Sequence, residues 1–218
     1  MTSYEAKELY QREDIAADYD RARFRGLRGA IINYLEQRLL MRAMSGVEKG
    51  ARVLDLPVGT GRMSRRLHNE GYRPVGADVS VPMLSIAADL AREAGQRSVL
   101  LRADAERLPF ADGSVEVAVC FRLLSHLPPE VRRRILREMG RVARDRVIAV
   151  YQPHRLSLWW LVYGFLLRRP IPRYFVSHKD LQEEFAASGL RPLNSHALLR
   201  GPFMERAYVL QPVADSSS

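Results

Sequence analysis

The sequence predicts an α/β fold: a doubly wound, mostly parallel sheet of seven strands flanked by helices, with an N-terminal helical cap. Three observations predict it. Short β-rich runs alternate with longer helical patterns, as in a parallel sheet covered on both faces. Acidic residues stand at the ends of the first three runs, Asp55, Asp78 and Asp104. A glycine-bearing turn, Val58-Gly59-Thr60-Gly61, joins the first run to a helix.

Residues 1–45 form the predicted cap. Within it Tyr19, Phe24, Leu27, Ile31, Tyr34, Leu35 and Leu39 recur at helical spacings, interrupted by Gly26 and Gly29. A main domain is expected over residues 46–213. Its first five strands are expected at 52–56, 73–78, 98–102, 115–121 and 147–151, with helices at 62–69, 82–94 and 129–142. A further helix is expected at 177–188, with Ser177 as N-cap and Asp180 completing a carboxylate form of the capping box. Residues 191–199 and 204–211 read as two closing strands, and residues 214–218 as a frayed tail.

The 218 residues, 47% apolar and 27% charged, suit one globular domain with a substantial core. A single cysteine, Cys120, excludes an intramolecular disulfide and a cysteine metal cluster. Residues 1–12 carry no apolar stretch of the secretory kind. Together these make the cytoplasm the expected compartment, and no metal is expected. The net charge is +9, and all but Lys7, Lys49 and Lys179 of the 34 basic residues are arginine. That charge is spread along the chain, so it permits an anionic partner without requiring one. The arginines at 132, 133, 134, 137 and 141 read as the solvated face of one helix.

Residues 155–175 read as an apolar insertion. At its heart is LSLWWLVYGFLL, residues 156–167, flanked by arginines. Twelve residues are too few for a bilayer span, which needs about 20. Buried core, a lid over an apolar substrate and an interfacial membrane contact all remain open for it.

In open α/β sheets ligands bind outside the carboxyl ends of the strands. Asp78 follows Asp55 by 23 positions, near the ~20-residue interval expected of a carboxylate that accepts ribose hydroxyls. Glycines at 59 and 61 allow backbone to approach a nucleotide-like ligand closely. Gly59-x-Gly61-x-x-Ser64 is nearly a dinucleotide fingerprint, so an NAD(P)-dependent oxidoreductase is one reading.

VLDLPVGTGR (53–62), GADVSVPML (76–84) and RADAERLPFADGSVEVAVC (102–120) resemble the motifs of the class I S-adenosylmethionine-dependent methyltransferases. The similarity is to the small-molecule branch that includes the ubiquinone and menaquinone biosynthesis enzymes. It implies S-adenosylmethionine as cofactor and methyl transfer to a small apolar or amphipathic acceptor, quinone- or lipid-like. It further implies that Gly59 and Gly61, with Asp55 and Pro57 in the same loop, border the methionine portion. Asp78 and Val79 then serve the ribose, and Met83, Asp104, Ala105, Glu106 and Phe121 the adenine. On the acceptor side the resemblance implies His126 and Tyr19, with Arg23 beside the latter in the cap. His126 reads equally as a packing or capping residue. Pro57 departs from the family pattern, which has glycine there, and so removes an N–H donor. The usual Pro-Gly-Gly turn before the fifth strand is also missing. A non-catalytic S-adenosylmethionine-binding protein is the second alternative. RNA is not expected, because Phe121-Arg122-Leu123-Leu124 replaces the tetrapeptide that holds a flipped base.

Overall fold

The computed structural model describes residues 26–151, 176–198 and 205–213. The cap residues before 26, including Tyr19 and Arg23, lie outside the described residues. So do the whole insertion at 155–175, with Trp159 and Trp160, and the tail from 214. Among the described residues thirteen elements build the fold, twelve of which take labels. Helix α1 spans Gly26–Ala43, β1 Arg52–Asp55, α2 Arg62–Asn69, β2 Arg73–Asp78, α3 Val81–Glu93 and β3 Val99–Arg102. Strand β4 spans Val115–Cys120, α4 Pro129–Val142, β5 Ala143–Tyr151, α5 His178–Ala187, β6 Leu190–Ala197 and β7 Arg206–Pro212. A single 3-10 turn, Leu124–His126, lies between β4 and α4.

The sheet runs β3-β2-β1-β4-β5-β7-β6. Strands β1 to β5 are parallel, and β7 pairs antiparallel with both β5 and β6. The seven-stranded, mostly parallel sheet is therefore present. Its order reverses between β1 and β4, which opens a crevice at their carboxyl ends.

The two-residue period of the strands sorts the core into two layers. Val53, Val117, Val119, Ile148 and Val150 face one side, against Leu39, Leu40 and Ala43 of α1 and Met63 and Leu67 of α2. Leu54, Ala118, Cys120, Val147 and Ala149 face the other, against Ile135, Leu136 and Met139 of α4 and Phe185 of α5. Burial on both faces explains why these strands read as continuous apolar runs rather than alternating ones.

The expected capping box is present. Ser177 Oγ accepts the Asp180 amide and Asp180 Oδ2 accepts the Ser177 amide, each at 3.1 Å. Three readings need correction. Arg132, expected on a solvated helix face, is 3% exposed and pairs with Glu184 of α5, which packs against that part of α4. In α1 the recurring apolar residues do not all point inward: Leu27, Ile31 and Tyr34 are exposed, while Glu36 is fully buried. Strand β5 begins at Ala143 rather than 147. With no Pro-Gly-Gly turn, α4 passes directly into it. The arginines that looked like a connection are instead accommodated along the strand's start, where Arg144 pairs with Glu116 at 2.5 Å and Arg146 donates to the Ser45 carbonyl at 2.9 Å.

Candidate active site

The site forms where three strand ends meet the β1–α2 turn. Strand β1 delivers Asp55 at its last position, only 1% exposed. The chain then turns through Leu56 to Gly61, and the turn is tied to the sheet. The Leu56 amide donates to the Val119 carbonyl, the Val58 amide to Ala77, and the Gly61 amide to Val58, each at 2.9 Å. Gly59 and Gly61 have φ of 52° and 74°, left-handed values that glycine reaches without steric cost.

The two glycines do different work. A Cβ on Gly59 would meet nothing within 4 Å, and this residue lines a cavity of about 170 Å³ at the strand ends. Gly61 is absent from the cavity wall. A Cβ there would stand 3.2 Å from the Ala87 Cβ of α3. Gly61 lets helix and turn pack closely.

Asp78 ends β2. Its Oδ2 accepts the Gly59 amide at 2.9 Å and its Oδ1 the Ser80 amide at 3.0 Å. Ser80, not Asp78, caps α3, through its Oγ and the Met83 amide at 3.3 Å. Asp55 Oδ2 accepts the Ser64 hydroxyl at 2.7 Å. Burial raises both carboxyl pKa values, Asp55 to about 7, and the hydrogen bonds from neutral donors oppose this only in part. Asp104, after β3, makes a local turn in which its Oδ1 accepts the Glu106 amide at 3.0 Å.

The cavity wall therefore brings together Asp55, Pro57, Gly59, Asp78, Val79, Met83, Asp104, Ala105, Glu106, Phe121 and His126. His126 sits at the exposed end of the 3-10 turn, where its amide donates to the Leu123 carbonyl at 3.0 Å. Of the residues singled out from sequence, Gly61 lies elsewhere and Tyr19 is outside the described residues. The amides of Leu56, Val58, Gly59 and Gly61 are all engaged within the protein. The turn offers close approach more than donors.

Sequence reasoning missed two groups on this wall. Leu127, Val131 and Ile135 make it apolar beneath Leu123. Their spacing of four marked a helix face, but not what that face meets. Arg62 and Arg122 also line it, and nothing local in the sequence signals their partners. Cys120, directly before this wall, is fully buried, and its thiol pKa is pushed up to about 12 by desolvation, so it is no nucleophile. Among the described residues no group of acidic, histidine or cysteine side chains is arranged to hold a metal.

Comparison with known proteins agrees with this geometry. A family model described as a methyltransferase domain matches residues 53–146. The chain is 33% identical over 206 residues to the ubiquinone/menaquinone biosynthesis C-methyltransferase UbiE of Pseudomonas paraeruginosa, covering 89% of this chain and 78% of that one. It is 34% identical over 166 residues to the demethylmenaquinone methyltransferase of Beutenbergia cavernae, covering 72% of this chain and 62% of that one. Against this and three similar demethylmenaquinone methyltransferases the chain spans only 52% to 62% of the relative's length. The fold matches that of magnesium protoporphyrin IX methyltransferase from Synechocystis, solved with bound S-adenosylhomocysteine, at a TM-score of 0.76, 18% identity, and 96% and 99% coverage.

Fold and site define a class I S-adenosylmethionine-dependent methyltransferase domain. Within that class the chain belongs to the family of the ubiquinone and menaquinone biosynthesis C-methyltransferases. The oxidoreductase alternative finds no support in these matches.

Proposed function

We propose that this protein transfers the methyl group of S-adenosylmethionine to a small apolar or amphipathic acceptor of the quinone or lipid class. One observation carries the reading. A buried carboxylate, Asp78, lies in the cavity wall beside the open backbone of Gly59 and one strand away from buried Asp55. That donor set fits the cofactor. Asp78 offers oxygens to a pair of ribose hydroxyls, and Val79, Met83 and Phe121 offer apolar contact to a purine. Asp104 and Ala105 offer an acceptor and an amide to its edge, with Glu106 beside them. Gly59 and Pro57 leave room for the methionine chain, and Asp55 supplies negative charge for its cationic groups.

When bound, S-adenosylmethionine supplies an electrophilic methyl carbon on a sulfonium. The protein's part is alignment, since methyl transfer is an in-line displacement that depends on the approach of the acceptor. His126, on the rim, takes onto an imidazole nitrogen the proton that an acceptor hydroxyl or acidic carbon gives up. The family resemblance assigns Tyr19 and the apolar segment at 156–167 to the acceptor side. On this reading residues 1–45 serve as a cap for the domain at 46–213, and the composition of 156–167, two tryptophans flanked by arginines, suits a peripheral contact with the membrane in which such acceptors dissolve. No helix among the described residues is long and apolar enough to cross a membrane. The quinone and lipid class is supported by the names of the relatives, a C-methyltransferase of quinone biosynthesis among them.

Calorimetric titration with S-adenosylhomocysteine tests the cofactor, and absence of binding overturns the reading. Transfer of labelled methyl from S-adenosylmethionine to demethylated quinones, compared with phospholipids and RNA, tests the acceptor. Labelled RNA without labelled quinone would overturn the acceptor class.

A further inference from the structure

Four charged side chains from four separate stretches of the chain meet at the cavity wall. Glu36, on α1, is 0% exposed. Its carboxylate pairs with Arg62 at 2.5 Å and also with Arg122. Arg62 donates as well to Asn33 Oδ1, one turn earlier on α1, at 2.8 Å. Arg122 reaches on to Glu205, at the head of β7, at 3.4 Å. Two carboxylates and two guanidiniums balance, so the group is closed in charge.

Position distinguishes this network from an ordinary ion pair. Arg62 follows Gly61 at the end of the β1 turn, and Arg122 follows Phe121 at the end of β4. Both line the cavity, on its two walls. Glu36 touches both while belonging to neither. Arg122 is also the one non-glycine residue of positive φ among the described residues, at 60°. An arginine is held in the left-handed region only where its surroundings over-determine it, and here two carboxylates do so. Buried ion pairs are a weak route to stability compared with apolar packing, and their best-attested use is to fix one arrangement among several.

We infer that Glu36 is a positioning residue that couples the seating of helix α1 to the arrangement of both cavity walls. Occupancy of the cavity and docking of the N-terminal helix are then linked. The contacts of the network are seen whatever ligand the cavity takes. Only the ligand arm of the test below rests on the proposed function.

The test is hydrogen exchange of the full chain carrying Glu36→Gln, which keeps volume and one acceptor but removes the charge. Exchange should rise about tenfold in peptides covering residues 56–65 and 119–127 together, with β5 and β7 unchanged. A rise confined to α1, or none, would overturn the coupling. Should that variant fail to fold, Arg122→Gly removes the cation while relieving the left-handed backbone. It leaves buried Glu36 and Glu205 short of a cation, so the unfolding midpoint should fall, and exchange at residues 33–40 should rise beyond that of β2 and β3; a rise no larger there would equally overturn the proposal. In the ligand arm, S-adenosylhomocysteine should slow exchange of α1 in the wild type and not in Glu36→Gln. Equal slowing in both would overturn the linkage to occupancy. Failure of the wild type to bind the compound would count against the functional reading alone, and the two-wall exchange result would still decide the coupling.

Discussion

Two buried polar groups sit on either side of the strand-order reversal, and they differ in how their charge is met. Beside β5, Arg132 of α4 gives Nε and a terminal nitrogen to Glu184 of α5 at 2.6–3.0 Å, and its other terminal nitrogen to the Leu127 carbonyl at 2.9 Å. Tyr151 donates its hydroxyl to the same carboxylate at 2.9 Å. Burial, reinforced by that carboxylate, raises the tyrosine pKa, so the hydroxyl stays a donor. Here charge meets countercharge and every element is locked. Across the sheet, Asp55 and Asp78 are held by a hydroxyl and by amides, all neutral. The first arrangement is complete without a ligand. The second leaves buried negative charge facing a cavity, where a ligand bearing donors or a cation gains most. The contrast separates a structural buried charge from a receptive one.

Breaking the closed group should have the largest effect. Glu184→Ala leaves the Arg132 guanidinium buried, and removing one partner of such a pair costs about 3–5 kcal/mol. The urea unfolding midpoint should fall accordingly. A midpoint within about 1 kcal/mol of wild type would show that this pair is no more structural than the acidic site. Asp78→Asn should behave in the opposite way. The amide sheds a buried charge but keeps only one of the two acceptors that meet the Gly59 and Ser80 amides, so stability should fall by about 1–3 kcal/mol, less than in Glu184→Ala. Affinity for S-adenosylhomocysteine should drop about a hundredfold, the loss expected when charged hydrogen bonds to a ligand are weakened. A stability loss matching that of Glu184→Ala would erase the distinction.

Gly61→Ala sharpens the comparison at smaller scale. Its φ of 74° and the 3.2 Å approach to Ala87 predict a destabilisation of about 1–2 kcal/mol from the left-handed backbone. Ligand affinity should change less than stability, because Gly61 faces α3. An affinity loss exceeding the stability loss would return Gly61 to the ligand, where the motif had put it.

That glycine marks the boundary of what the sequence made legible. The sheet could be read because each strand announces itself locally, through apolar β-branched runs such as Val115 to Val119, the first three of them ending at or near an acid. Asp55, Asp78, Val79, Met83, Asp104 and Ala105 then converge, since parallel strands put all their carboxyl ends at one edge. At Gly61 the motif records that glycine is required without saying that Ala87 of α3 is the neighbour a side chain would crowd. Glu36 and Arg122 lie 86 positions apart, and no periodicity connects them. Only the fold makes them one group. The start of β5 was missed for a related reason. Arg144 and Arg146 look like a connection until Glu116 and the Ser45 carbonyl are in place to receive them.

The smallest predicted effect, with the most definite sign, concerns pH. Burial lifts the Asp55 pKa to about 7 in the folded chain, against an ordinary value of 3.8. The folded state therefore holds this proton more tightly than the unfolded chain does. Its contribution to stability is complete below about pH 4 and is lost as pH rises through 7. A ligand placing a cationic group near Asp55 selects the ionised form, so its affinity should rise over the interval in which stability falls. With half-ionisation near pH 7, affinity for S-adenosylhomocysteine should gain about tenfold between pH 6 and pH 8 and then level off. Asp55→Asn should flatten both profiles, measured by titration calorimetry and by the unfolding midpoint. Affinity that falls as pH rises would mean that the buried carboxyl binds its ligand as a neutral acid. The acidic site would then resemble the closed Arg132–Glu184 group in holding no charge for a ligand to answer.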